Sequence, residues 1–211
     1  MAPFNPIGDA GRTLRSLLYD GLSTWGVSEE QVALTSPEGF EPEEPGLSIH
    51  LYRLAEDTHH SKGGPAGTDL RGATQLVLEL NYLITAHPPS GGTADTSDTL
   101  EQHRLLSKAI QTLEANRVVR PPDLLGALAN GGSLQLTMDT DAETRMREVW
   151  GSFTNTPYLP SVSYGVSPVV IELPVEGPAP RVIESTMEHV DATEDSDAVP
   201  STDDTGRGRE P

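Results

Sequence analysis

The sequence predicts an α+β domain of two layers, with a mostly antiparallel or mixed sheet of about four to five strands packed by two to three helices on one face. Three observations carry this reading. Two segments, 47–57 and 74–88, alternate apolar and polar residues as half-buried strands do. Two others, 14–25 and 98–116, repeat apolar residues at spacings of three and four, as amphipathic helices do. The segment order is helix, strand, strand, strand, helix, strand, helix, strand.

In the first helix Leu14, Leu17, Leu18, Leu22 and Trp25 form one stripe, Asp9 is placed to cap the start and Gly26 to end it. "QVALTS" (31–36) reads as a short strand and "SPEGFEPEEPG" (36–46) as a loop. In "LSIHLYRLAED" (47–57), Leu47, Ile49 and Leu51 oppose Ser48, His50 and Tyr52. A Gly-rich loop, 58–74, leads to "TQLVLELNYLITAHP" (74–88), long enough to cross the middle of a sheet. Its Leu76, Leu78, Leu80, Tyr82 and Ile84 share one face, and Val77, Glu79, Asn81 and Leu83 the other. After a loop (88–98), the second helix is expected to bury Leu106, Ile110 and Leu113 on a face with His103.

"PPDLLGALAN" (121–130) predicts one helical turn with Pro122 near its start. "SLQLTMD" (133–139) alternates as a strand. Asp141 then caps a helix holding Met146, Val149, Trp150 and Phe153. The last ordered stretch is "TPYLPSVSYGVSPVVIEL" (156–173). Val162, Tyr164 and Val166 alternate with Ser161, Ser163 and Gly165 as a strand. Pro168 cannot donate to a ladder, which argues against a central position beyond it. Residues 161–167 are therefore expected to close the sheet, and 169–173 to leave it as an arm or edge strand. The expected organisation is a domain over 1–173, an extended arm over 174–190 and a disordered acidic tail over 191–211.

Composition narrows function. The chain has 211 residues, a formal net charge of -18, no cysteine, and 14 basic against 32 acidic residues. That charge opposes binding to nucleic acid or anionic membranes, and the lack of cysteine excludes disulfides and thiolate sites. Lys62 and Lys108 are its two lysines. Such a surface suits a high-salt cytoplasm, where salt screens self-repulsion; a GC-rich genome with an acidic tail accounts for it equally. No apolar run approaches about 18 residues, the length a spanning helix needs. The start lacks an apolar signal core, so the expected location is the cytoplasm.

Chemical motifs are incomplete. His59 and His60, with Asp57 nearby, sit in a Gly-rich loop without the third rigid ligand a zinc site needs. Asp139, Asp141 and Glu143 alternate as in a calcium loop, but Thr144 stands where glycine and Trp150 where glutamate would be required; capping explains these acids better. "SKGGPAG" lacks phosphate-loop order, and "GVSPV" has Val169 where a nucleophile elbow has glycine. Glu56 or Glu79 could be half of a carboxylate pair, though Glu79 is expected to face solvent or a partner. No catalytic residues, metal ligands or cofactor are assigned.

The ordered segments together resemble a known family. "RTLRSLLYDGL", "LSIHLYRLAED", "LVLELNYLITAHP", "EQHRLLSKAIQTLEAN" and "ETRMREVWGSF" followed by "TPYLPSVSYGVSPVVIEL" resemble the cap proteins of extracellular contractile injection systems. These are the virulence-cassette and antifeeding-prophage type, whose N-terminal domain is similar to phage tail terminators. The resemblance covers about residues 8–173. Its most specific signatures are L-x-Y-L-I-T, E-x-x-x-L-L-x-x-A-I-x-x-L and W-x-x-F-x-x-T-P-Y-x-P-S-V-x-Y-x-V.

The resemblance implies a ring, a homohexamer, that ends the inner tube, touches the last sheath ring and leaves the cell within a particle. It implies no cofactor and no catalysis. The partner-binding residues expected here are Tyr158, Tyr164, Val169, Val170, Ile171, Glu172 and Leu173. The alternatives are a non-enzymatic adaptor or baseplate-associated domain of such an assembly, and an enzyme, which would need a deep pocket of convergent polar groups.

Overall fold

The structure, a computed structural model, describes residues 5–57, 67–68, 74–90, 95–130, 132–139 and 142–173, all within one unit, Met1–Val175. The expected arm and acidic tail, the zinc reading at His59 and His60, and the cap at Asp141 lie outside the described residues.

Helix α1 spans Pro6–Ser23. Its cap is Asn5, whose side chain accepts from the Gly8 amide at 3.1 Å; Asp9 lies inside the helix and is buried. Beyond the helix end, Gly26 takes φ 84°, a left-handed conformation that a side chain would strain. Next come β1 (Val32–Ala33), β2 (Gly46–Glu56), β3 (Gly67–Thr68) and β4 (Thr74–His87). Helix α2 (Thr96–Ala115) starts with a reciprocal cap, in which Asp95 accepts from the Asp98 amide at 3.0 Å and Asp98 from the Asp95 amide at 3.2 Å. The Ser97 hydroxyl, and then the Asp98 amide, donate to the Asp95 carboxyl and hold it below its usual range. Strand β5 (Val118–Val119), a 3-10 turn at Gly126–Asn130, β6 (Leu134–Met138), α3 (Ala142–Ser152) and β7 (Ser161–Glu172) complete the domain.

The sheet order is β1-β2-β4-β7-β6-β5, with β3 also on β4. The β1–β2 pair is parallel and the others are antiparallel, so the sheet is mixed. One face is apolar. Leu47 and Ile49, then Leu78, Leu80, Tyr82, Ile84 and Ala86, then Tyr164 and Val166, pack against Leu14, Leu18 and Leu22 of α1 and Leu105, Ala109 and Leu113 of α2. Helices α1 and α2 cross closely, because a side chain at Gly21 would run into Thr112.

Three expectations need correction. The buried face of α2 is Gln102, Leu105, Ala109, Thr112 and Leu113, while Leu106 and Ile110 are half-buried and His103 is exposed. Small residues face α1 because the helices approach so closely, and Gln102 is held inside by donating to the Ala86 carbonyl at 3.2 Å. Second, helices do not occupy only one face, since aromatic residues at the end of α3 cover the other, as described below.

Third, β7 does not leave the sheet as an arm at Pro168, although beyond Ser167 it is the edge strand that the proline argues for, since no β6 residue pairs with it there. Its pairing with β4 continues through Val169↔Leu78, Val170↔Val77, Ile171↔Leu76 and Glu172↔Gln75, and Val169 has no exposed surface. The proline is accommodated by a bulge. Between Val166↔Leu80 and Val169↔Leu78, Ser167 and Pro168 oppose only Glu79, so no ladder bond is demanded of Pro168. On the other side, the β6 pairing has ended at Ser167↔Gln135.

Candidate functional site

The second face of the sheet is polar, and its polar groups pair with one another across strands. The Ser48 hydroxyl and His87 Nε2 lie 2.8 Å apart, both buried. Tyr52 and Ser163 hydroxyls meet at 2.8 Å, and Thr85 and Ser161 hydroxyls at 2.9 Å. Asn81 donates to Glu79 Oε1 at 3.0 Å and accepts from Arg53 at 3.4 Å. A bulge at Tyr52, between the pairs Leu51↔Tyr82 and Arg53↔Asn81, turns both Tyr52 and Arg53 to this face. Gly165 lies under this network, where a Cβ would stand 2.9 Å from Glu79 Oε1 and make that side chain shift.

Aromatic rings cover this face. Phe153, just past α3, meets His50 with ring centroids 5.8 Å apart, and Phe40 lies edge-on to His87 at 5.0 Å. Burial lowers the pKa of His50, and pushes that of His87 down to about 4. The Ser48–His87 pair is thus a buried structural bond, with neither residue placed as a nucleophile or base towards solvent.

The remaining acids have structural partners. Asp9 accepts from the Ala127 amide at 2.8 Å and pairs with Arg12, while Thr13 accepts from the Leu125 amide at 3.1 Å. Two side chains of α1 therefore cap the 3-10 turn from more than a hundred residues away. Asp139 holds Arg145 through both oxygens at 2.7 Å, so it is engaged as an ion pair. Glu56 opposes Leu78 whereas Glu79 opposes Ala55, so alternation puts the two acids on opposite faces. Among the described residues no cluster of histidine and carboxylate groups could hold a metal.

The expected partner-binding residues divide sharply. Tyr164 and Val169 have no exposed surface and cannot meet a partner. The Tyr164 hydroxyl donates to Glu114 at 3.1 Å, and burial, then Glu114, raises its pKa. Val170, Ile171 and Leu173 are half-buried and Glu172 is exposed. Among the described residues nothing pairs with the β6-side edge of β7 beyond Ser167, and this edge borders a cleft of about 330 Å³. The 3-10 turn, through Leu124, Ala127 and Leu128, forms its other side, with Pro6 and Leu134 also at the wall. Tyr158 is 66% exposed, its ring 5.3 Å from that of Trp150. The Trp150 indole N–H is buried and has no acceptor among the described residues.

The structure has the turn predicted within 121–130, at Gly126–Asn130, but sequence reasoning missed three further features: the capping of that turn by Asp9 and Thr13, the exposed Leu100 of α2, and the placement of Trp25. Trp25 lies past the end of α1, 46% exposed, rather than in the buried stripe. The run of leucines at 124, 125 and 128 hinted at the turn; nothing in the local pattern marked the rest.

A mixed sheet with two helices on its apolar face, internally paired polar groups and an open strand edge defines a two-layer α+β domain. The chain belongs to the Pvc16 N-terminal domain family, which it matches over residues 9–185. Among solved structures, it resembles the PVC sheath/tube terminator of an extracellular contractile injection system, determined by cryo-EM in the extended state. The TM-score is 0.53 at 18% identity, over 90% of this chain and 65% of that one. The tube-terminating cap of the anti-feeding prophage matches with a TM-score of 0.45 at 19% identity, over 83% of this chain and 59% of that one. The chain thus spans less than two thirds of either. No curated protein matches the sequence. Among the described residues no helix is long and apolar enough to cross a membrane.

Proposed function

We propose that this chain is a structural cap, forming a homohexameric ring that ends the inner tube and sheath of a contractile injection particle. The observation that carries the reading is the family match over 9–185, together with a fold like that of a sheath/tube terminator. The role is non-catalytic: polar groups that could do chemistry have structural partners, as the buried Ser48–His87 pair between strands and the part-buried Asp139–Arg145 pair onto α3 illustrate.

In this reading the open edge of β7 at Val170–Leu173, beside its cleft, is a partner contact, since an unpaired strand edge accepts a further strand. Tyr158 with Trp150 is a second contact. Negative charge on the outward face refuses a further tube ring. The particle assembles in the cytoplasm and leaves the cell whole.

Electron microscopy of particles assembled without this chain tests the proposal. Tubes of uncontrolled length and detached sheath are expected. Tubes of normal length inside an intact sheath would remove the cap role.

A further inference from the structure

One stripe of α2 carries the exposed Leu100 and Arg104 and the half-buried Lys108, spaced four apart on the same side. Leu100 is 62% exposed. Trp25 lies over this stripe, with the Arg104 guanidinium carbon 4.5 Å and the Lys108 ammonium 4.9 Å from the ring centroid. Two cations therefore converge on one half-exposed indole. Like charges one turn apart repel, and the indole offsets part of that cost. Arg104 also reaches Glu101 at 3.3 Å, and Lys108 donates to the Gln111 amide oxygen at 2.9 Å. Arg104, like Arg12, Arg15, Arg117 and Arg145, is thus paired with a carboxylate of its own chain, whereas the partner of Lys108 is a neutral amide.

In a chain of net charge -18, a strip combining Trp, Leu, Arg and Lys is a place where a second acidic copy can approach without repulsion. Trp and Arg are also the residues enriched at interface centres. A complementary group exists on the same molecule. Glu41, Glu43 and Glu44 are all exposed on the loop before β2. That loop is held in place, because the Pro42 carbonyl accepts from the Ser90 amide at 2.7 Å and the Pro45 carbonyl from the Gln31 amide at 2.8 Å. Little ordering entropy remains to be lost when its carboxylates are bound.

We propose that the strip of Trp25, Leu100, Arg104 and Lys108 receives the acidic loop of Glu41, Glu43 and Glu44 from a second copy of this chain. Strip and loop are different surfaces, so the contact is head-to-tail, the type that closes rings. The proposal rests on the ring reading and supplies one of its interfaces.

Charge reversal in the full-length chain tests it by sedimentation. Arg104→Glu with Lys108→Glu, and separately Glu43→Lys with Glu44→Lys, are each expected to weaken self-association by about tenfold or more. The chain carrying all four substitutions should associate again, to within about threefold of the unaltered chain. All four positions are on the surface, and thermal unfolding of each variant checks that the fold survives. An unaltered chain that forms rings indifferent to both reversals overturns the contact and leaves the ring intact. A chain that associates only in pairs, with the same rescue by the fourfold change, keeps the contact and removes the ring. A chain that stays monomeric overturns the contact.

Discussion

The two faces of the sheet are held by different physics. On the apolar face, Leu80, Ile84 and Val166 contribute by area removed from water, which depends little on direction. On the polar face, Ser48, Tyr52, Thr85 and their partners contribute through bonds of 2.8–2.9 Å that one register alone can form. A slip by one residue would turn leucines outward on the first face and leave buried hydroxyls unpaired on the second. The apolar face therefore supplies most of the stability and the polar face fixes the alignment of β2, β4 and β7. An assembly subunit needs that alignment, since its docking edges must sit at set heights.

The largest effect should come from the apolar face. Leu80→Ala, or Leu18→Ala on the facing helix, removes a side chain with no exposed surface. Each is expected to cost about 2–5 kcal/mol, read from the denaturant midpoint. A loss below about 1 kcal/mol would mean that this face is not the main store of stability.

The next effect belongs to the polar face and depends on pH. Unfolded histidine takes up a proton near 6.5, whereas His87 in the folded chain resists until about 4. Above pH 6.5 His87 is neutral in both states and its titration has no effect on stability. As pH falls from 6.5 towards 4 stability is lost, by about 1.4 kcal/mol per unit and on the order of 3 kcal/mol in total. His50, also lowered by burial, adds in the same direction. In His87→Gln, the slope of stability against pH over this window should flatten relative to the unaltered chain. Equal slopes would show that His87 is not kept neutral by its surroundings.

How much could be read in advance follows the same division. Alternating leucines marked β4 as a central strand, and the helical stripe marked α1, because burial by area leaves a periodic signal. Other features lack such a signal. Strand β5 has two residues, too few to show a period, whereas β1, equally short, was legible within the run 31–36. The inward face of α2 reads as Ala109 and Thr112 because a neighbouring helix lies close, and that closeness depends on Gly21, ninety residues earlier. Pro168 argued for an edge, which the end of β6 pairing at Ser167 bears out, but the bulge that keeps 169–172 on β4 requires Glu79 to stand alone opposite two residues, a fact of pairing. The candidate contacts were legible only in part. Alternation already put Tyr164 inward with Val162 and Val166, so its assignment to a partner conflicted with its own strand pattern. The open edge at Val170–Glu172 depends on where β6 stops, which local sequence does not state.

Gly21→Val sharpens the comparison at the helix layer. The added branches would collide with Thr112, and overpacking of this kind costs about 1–3 kcal/mol. Pairing it with Thr112→Ala should recover part of the loss, which thermal unfolding of the single and double variants would reveal. Strictly additive losses would show that the two residues do not meet.

The smallest stability effect should fall where neither face is involved. Tyr158 is 66% exposed, touching Trp150 through its ring and Met146 sulfur through its hydroxyl at 3.9 Å. Tyr158→Ala is expected to change unfolding free energy by no more than about 0.5–1 kcal/mol, as exposed aromatic pairs contribute little. If this ring is a docking point, the same variant should be incorporated poorly into particles while melting almost as the unaltered chain does. That split separates a surface kept for a partner from one kept for the fold. A large fall in melting temperature would instead assign Tyr158 to the aromatic cover of the polar face, with Phe153 and Trp150, and leave the β7 edge as the candidate contact on that stretch of chain.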